Sequence, residues 1–134
     1  MERLDNNMDS IQITADKTPR YQDAHLELDF SRGVAALDAH RLVLTRKEYE
    51  LLSLLVENAG EIVPREVLLM RIWGYSNQIR TRTLDVHIRR LRTKLGSYSR
   101  EYLETIFGIG YRFQPFHANR RYQAETPSLA MTAA

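Results

Sequence analysis

Residues 80–95 concentrate the chemistry of this chain. Arg80, Arg82, Arg89, Arg90, Arg92 and Lys94 are accompanied there by a single acid, Asp85. Read as a helix spanning roughly Thr81 to Leu95, the segment places Leu84, Ile88, Leu91 and Leu95 in one narrow sector, which must face a core. With Arg82 set at zero, Arg89 lies near about −20°, Thr93 about 20°, Val86 about 40°, Asp85 about −60° and Arg90 about 80°. His87, Arg92 and Lys94 flank this strip. Intrahelical ion pairs cannot neutralise six cations with one carboxylate, so the face calls for an anionic partner. Arginine forks match guanine O6/N7, valine meets a thymine methyl and peripheral cations meet phosphates, as in a helix lying in a DNA major groove. The blander alternative is a solvated charged face.

Composition narrows the alternatives. The 134 residues contain no cysteine, which removes disulfide frameworks, thiolate zinc sites and cysteine nucleophiles and is compatible with a reducing cytoplasm. No apolar run reaches the length of a membrane span, and the first residues lack the pattern of a signal peptide, so neither membrane insertion nor secretion is expected. There is no HExxH, Gly-rich phosphate loop, nucleophile elbow or acid/base carboxylate pair, and the four histidines have no metal-ligand spacing. The expectation is a protein that is not an enzyme and carries no cofactor or metal. Net charge is only +2, yet residues 1–40 hold four Lys/Arg against eight Asp/Glu, so the positive charge lies in the later part of the chain.

The elements that must position the basic helix are legible in the periodicity. Residues 1–23 are polar and without period, and read as a flexible N-terminal tail or linker; 117–134 read as a flexible C-terminal tail. Between them, 24–116 form one α+β domain. HLELDF, VAALD and RLVLT alternate as three short strands, with turns at Ser31-Arg32-Gly33 and Asp38-Ala39. TRKEYELLSLLVENAG switches to a helical period: Thr45 and Glu48 make a capping-box signature, Tyr49, Leu52, Leu55 and Val56 a buried stripe, and Gly60 a stop. A second helix runs through PREVLLMRIWG, with Leu68, Leu69, Ile72 and Trp73 as apolar contacts. The basic helix follows a polar loop, and YLETIFGIGYRFQ reads as a β-hairpin around Gly108-Ile109-Gly110. Helix, turn, helix and hairpin together make a winged helix-turn-helix.

Several residues carry two readings. Asp85 favours the positive end of its helix or pairs with Arg89 one turn on, ahead of any base contact. His87 is a surface histidine or a DNA contact. Trp73 is a core anchor with an exposed edge whose indole N–H reaches a phosphate. Tyr111 and Phe113 are strand packing rather than stacking platforms.

The strings LTRKEYELLSLL, REVLLMRIWGY, RTLDVHIRRLRTKL and GIGYRF, in this order and spacing, resemble the OmpR/PhoB-type output domains of two-component response regulators. The likeness spans about residues 24–116. It implies a four-stranded N-terminal sheet, one strand more than the alternation gives, with the third helix as recognition helix and the hairpin as a wing against the minor groove. By position it implies that Arg82, His87, Arg89 and Arg92 face phosphate or the groove edge, that Val86 and Arg90 face bases, and that Thr105 and Tyr111 are wing contacts to the DNA backbone. Thr83, Thr93, Lys94, Arg112 and Trp73 complete the expected DNA-binding set. The loop Tyr75, Ser76, Asn77, Gln78, Ile79 and Arg80 sits where such proteins touch RNA polymerase. The expected partner is double-stranded DNA, bound by a cytoplasmic protein that is monomeric in solution and pairs on its site.

Two departures from the family stand out. The receiver domain that usually precedes this module is absent from the 134 residues, which reads as an excised output domain or a stand-alone regulator. Phe107 occupies the place before the first wing glycine where the family often has a minor-groove arginine. Its ring either packs under the hairpin or stands clear of it; with Ile106 the inward residue under period-two alternation, exposure is the expectation. A winged helix that uses the basic face on an acidic protein is the competing function, and a steep loss of binding with salt separates DNA from it.

Overall fold

The computed structural model describes residues 19–76 and 78–116. The chain opens with an antiparallel meander, β1 (Arg20–Gln22), β2 (Leu26–Asp29), β3 (Val34–Leu37) and β4 (His40–Arg41), paired in that order. Alternation turns Leu26 and Leu28 inward to full burial, as a sheet covered on one side requires. Asp38 and Ala39 both take positive φ, at 50° and 67°, between the paired Leu37 and His40, which is the requirement of a two-residue hairpin turn. The fourth strand implied by the family likeness is β1. It lies within the segment read as tail, so the folded unit begins earlier than residue 24, while 1–18 and 117–134 lie outside the described residues. The run RLVLT, expected as a full strand, is strand only at Arg41, with the Leu42 N–H donating to the Ala35 carbonyl at 2.9 Å just beyond it.

Helix α1 (Arg46–Glu57) starts at the expected capping box: Thr45 Oγ1 accepts from the Glu48 N–H at 3.2 Å, and Glu48 Oε1 accepts from the Thr45 N–H at 2.9 Å. Then comes β5 (Ile62–Pro64), which the sequence reading missed, followed by α2, helical over Arg65–Leu68 and continuing as a wider π-type turn over Leu69–Trp73. Gly74 closes it at φ 74°, and Lys47 Nζ donates to the Ile72 carbonyl at 2.6 Å, satisfying an acceptor at the helix end. Helix α3 (Thr83–Leu95) begins two residues later than expected. Thr81 stands before it, its hydroxyl accepting from the Thr83 N–H at 3.1 Å. A 3₁₀ turn (Gly96–Tyr98) and a short α4 (Ser99–Tyr102) lead into β6 (Leu103–Ile106) and β7 (Gly110–Phe113).

The C-terminal hairpin is thus part of a three-stranded sheet in the order β5-β7-β6, not an isolated ribbon. Leu51, Leu52 and Leu55 of α1, Leu68 of α2, Leu84, Ile88, Leu91 and Leu95 of α3 and Phe113 of β7 share one core. The two ends of the described chain meet at Asp23. Its carboxylate accepts from the backbone N–H groups of His25 and Leu26, each at 2.9 Å, from Tyr102 Oη at 2.6 Å, from the Phe116 N–H at 3.1 Å and from the Tyr21 hydroxyl. Burial alone would raise this carboxyl; the donors outweigh it and hold it below the ordinary aspartate value.

Candidate nucleic-acid interface

The apolar side of α3 is buried as expected, and its position is fixed at both ends by ion pairs to other elements. Near the N-terminus, Asp85 Oδ1 accepts from Arg65 Nη1 of α2 at 2.7 Å and from Tyr111 Oη of β7 at 3.0 Å. Of its two expected roles, Asp85 does stand in the first turn of α3, but its ionic partner is Arg65 rather than Arg89, so that it ties three elements together. Burial works to raise the Asp85 carboxyl, but the bonds from Arg65 and Tyr111 and the charges of Arg65 and Arg82 hold it below the ordinary value. Arg65 and Tyr111 both rise, the guanidinium chiefly through its bond to Asp85 and the phenol chiefly through burial. Near the C-terminus, Lys94 Nζ lies 2.6 Å from Glu48 Oε1, the capping-box carboxylate of α1, which is 1% exposed.

These bonds sort the expected DNA-binding set. Arg82, Arg89, Arg90 and Thr93 are exposed, and the three arginine side chains make no hydrogen bond or ion pair among the described residues. Val86 lies half-buried between them. Arg92 is differently placed: its guanidinium donates to the Leu103 carbonyl at 3.1 Å and to Thr105 Oγ1 at 2.7 Å, and stands 6.0 Å from the Tyr111 ring centre. It therefore clips the wing to α3. Lys94 is engaged by Glu48, and Arg112 by Glu104 at 2.9 Å. Tyr111 is 7% exposed with its hydroxyl given to Asp85, so it packs as a strand residue. His87 Nδ1 sits 2.8 Å from the Thr83 carbonyl, and its ring meets Trp73 edge-on with centres 4.9 Å apart. Trp73 is partly buried against the core, and Thr83 shares a hydroxyl–hydroxyl bond with Thr81 at 2.7 Å.

In the loop after α2, Tyr75 packs on the core while Ser76, Gln78, Ile79 and Arg80 are exposed; Asn77 lies outside the described residues. Phe107 is exposed, as expected, though not by the alternation invoked for it: the buried residue of β6 is Leu103 rather than Ile106, and Phe107 stands in the turn that follows the strand. Among the described residues no group of three or more His, Asp or Glu could hold a metal ion, and no helix is long and apolar enough to cross a membrane.

Two helices joined by a loop, the second presenting exposed arginines beside a hairpin that packs against its start, define a winged helix-turn-helix domain. Residues 39–113 match the family described as "Transcriptional regulatory protein, C terminal", and the chain belongs to that family. It is 49% identical over 70 residues to the uncharacterized transcriptional regulatory protein YclJ of Bacillus subtilis, a stretch covering 52% of this chain and 31% of YclJ. It is 38% identical over 87 residues to the response regulator ArlR of Staphylococcus aureus, covering 64% of this chain and 40% of ArlR. The chain thus spans between about a third and two fifths of the length of these relatives. Among solved structures it resembles the DNA-binding domain of Klebsiella pneumoniae RstA in complex with its RstA box (TM-score 0.66, 27% identity, 72% of this chain and 98% of that one). It also resembles the DNA-binding domain of CpxR from E. coli (TM-score 0.66, 31% identity, 72% and 97%). The fold is that of the OmpR/PhoB winged helix.

Proposed function

We propose that this chain binds double-stranded DNA sequence-specifically to regulate transcription, with α3 in the major groove and the wing on the adjacent minor groove or backbone. The observation that carries this reading is the trio Arg82, Arg89 and Arg90, exposed and, among the described residues, unpaired on one side of a helix whose opposite side is buried. Arg90 and Val86 serve base recognition; Arg82 and Arg89 serve phosphates. Arg92 contributes by holding the wing at a fixed distance from α3. The loop Tyr75–Arg80 is offered to RNA polymerase. The unit acts in the cytoplasm as a monomer that pairs on adjacent half-sites, since no exposed heptad supplies a dimer helix.

Selection of bound duplexes from a randomised pool, followed by affinity measurement across a salt series, tests the reading. Expected are one enriched motif and a steep fall of log affinity with log salt. Binding to an acidic protein, with no duplex enriched, would overturn it in favour of a protein-interaction module.

A further inference from the structure

The wing tip carries a large aromatic side chain that the described residues leave almost wholly exposed. Phe107 is 90% exposed, and Ile109 beside it is 49% exposed. The turn that bears them is fixed. The Ile109 N–H donates to the Ile106 carbonyl at 2.9 Å, and Gly108 takes φ +79°, as a four-residue turn with a left-handed third position requires. The Ile109 carbonyl in turn accepts from the Arg65 N–H at 2.9 Å, which anchors the tip to the start of α2. Gly110 is pressed so closely against β5 that a Cβ there would stand 2.1 Å from the Val63 carbonyl oxygen. Phe107 is therefore held out from a rigid support.

Its surroundings say what it meets. Gly108 and Ile109 form one wall of a cleft of about 670 Å³ whose other walls include Arg65, Arg80 and Arg82, with Glu66 the one acid among them. A smaller cleft of about 240 Å³ places Phe107 with Asp85 and Tyr111, at the junction of wing and recognition helix. Arg80 and Arg82 share their cleft with Gly108 and Ile109 rather than with Phe107, so an apolar protein surface that covered the wing tip, Ile109 as well as Phe107, would have to desolvate them without partners. A DNA groove, whose walls are sugar and base edges and whose rims are phosphates, satisfies both the ring and the cations.

We infer that Phe107 is a specificity-determining residue that enters the minor groove flanking the α3 site as an apolar wedge, selecting base steps that unstack easily. The inference rests on the DNA-binding reading above. Where a wing arginine would select a narrow, electronegative groove, Phe107 selects deformability: pyrimidine–purine steps such as TA and CA yield most readily to an inserted ring. Because the ring carries no charge, its contribution is independent of salt.

The test uses the full chain and the selected duplex, with flanks that carry either a pyrimidine–purine step or none, and 2-aminopurine at the flanking step. Phe107→Ala is expected to keep the wild-type melting temperature and salt slope. It should lose roughly tenfold in affinity on the deformable flank, lose little on the stiff one, and abolish the 2-aminopurine fluorescence rise. Phe107→Leu should retain most of the preference, and Phe107→Arg should steepen the salt slope by about one phosphate contact. Flank-independent binding by wild type and Phe107→Ala alike, or an equal loss on both flanks, overturns the inference while leaving the DNA-binding reading intact. A wild-type chain that selects no duplex overturns both.

Discussion

Lys94 Nζ approaches Glu48 Oε1 to 2.6 Å, so the carboxylate that caps α1 also fixes the far end of α3. One oxygen thereby serves a helix terminus and a helix–helix contact. Its burial alone would raise the carboxyl, but Lys94 and the Thr45 N–H together hold it below the ordinary glutamate value.

Lys94→Ala should cost about 2–3 kcal/mol, because it strands a buried charge rather than merely deleting a surface pair. The pH dependence checks the cause. A depressed carboxyl stabilises the wild type above the unfolded glutamate value of 4.5, a contribution lost as pH falls through the lower folded value. In Lys94→Ala burial dominates and protonation of Glu48 relieves the strain. Urea denaturation of both proteins from pH 7 to pH 3 should therefore show the stability gap narrowing; a constant gap would assign the loss to packing of the lysine stem.

Arg90→Ala should leave the melting temperature unchanged and weaken binding by about 1–3 kcal/mol, unequally among related sites, as loss of a base contact does. Arg82→Ala should weaken all sites alike and make the salt dependence shallower. Equal loss at every site for Arg90→Ala would remove its base-reading role.

Arg92 was expected at a phosphate, and its bonds to Leu103 and Thr105 change the forecast. Arg92→Ala should lower stability by about 1–2 kcal/mol and raise amide exchange in β6, since two acceptors on the wing lose their donor. An unaltered exchange pattern together with a shallower salt slope would return Arg92 to the phosphate role.

Tyr111→Phe separates the two uses of its hydroxyl. The bond to Asp85 at 3.0 Å predicts a loss of about 1 kcal/mol in stability and little change in DNA affinity at matched folded concentration. A large affinity loss in a protein of wild-type stability would mean that the phenol meets the DNA backbone.

The elements that announce themselves over many residues were readable from the sequence: the period of α1 and α3, the Thr45–Glu48 box and the hairpin around Gly108. Strands β1 and β5 were not, because three residues are too few for alternation to register and their pairing partners are set by the rest of the fold. Pro64, taken as a helix-start signal, also conceals a strand end. The candidate interface was legible as a set of residue types but not as a division of labour. Asp85 pairs twenty residues away with Arg65, Lys94 forty-six away with Glu48, and Arg92 with a wing hydroxyl thirteen away. Helical spacing speaks only of neighbours one turn apart, so it named Arg89 where the fold supplies Arg65.

Asp23 joins strand, α4 hydroxyl and the Phe116 backbone at one carboxylate, which brings positions 23 and 116 to the same pole of the domain. A tension applied across the two ends would be met by the β1–β2 ladder on one side and by the bond from the Phe116 N–H to Asp23 on the other, before any of it reached α3.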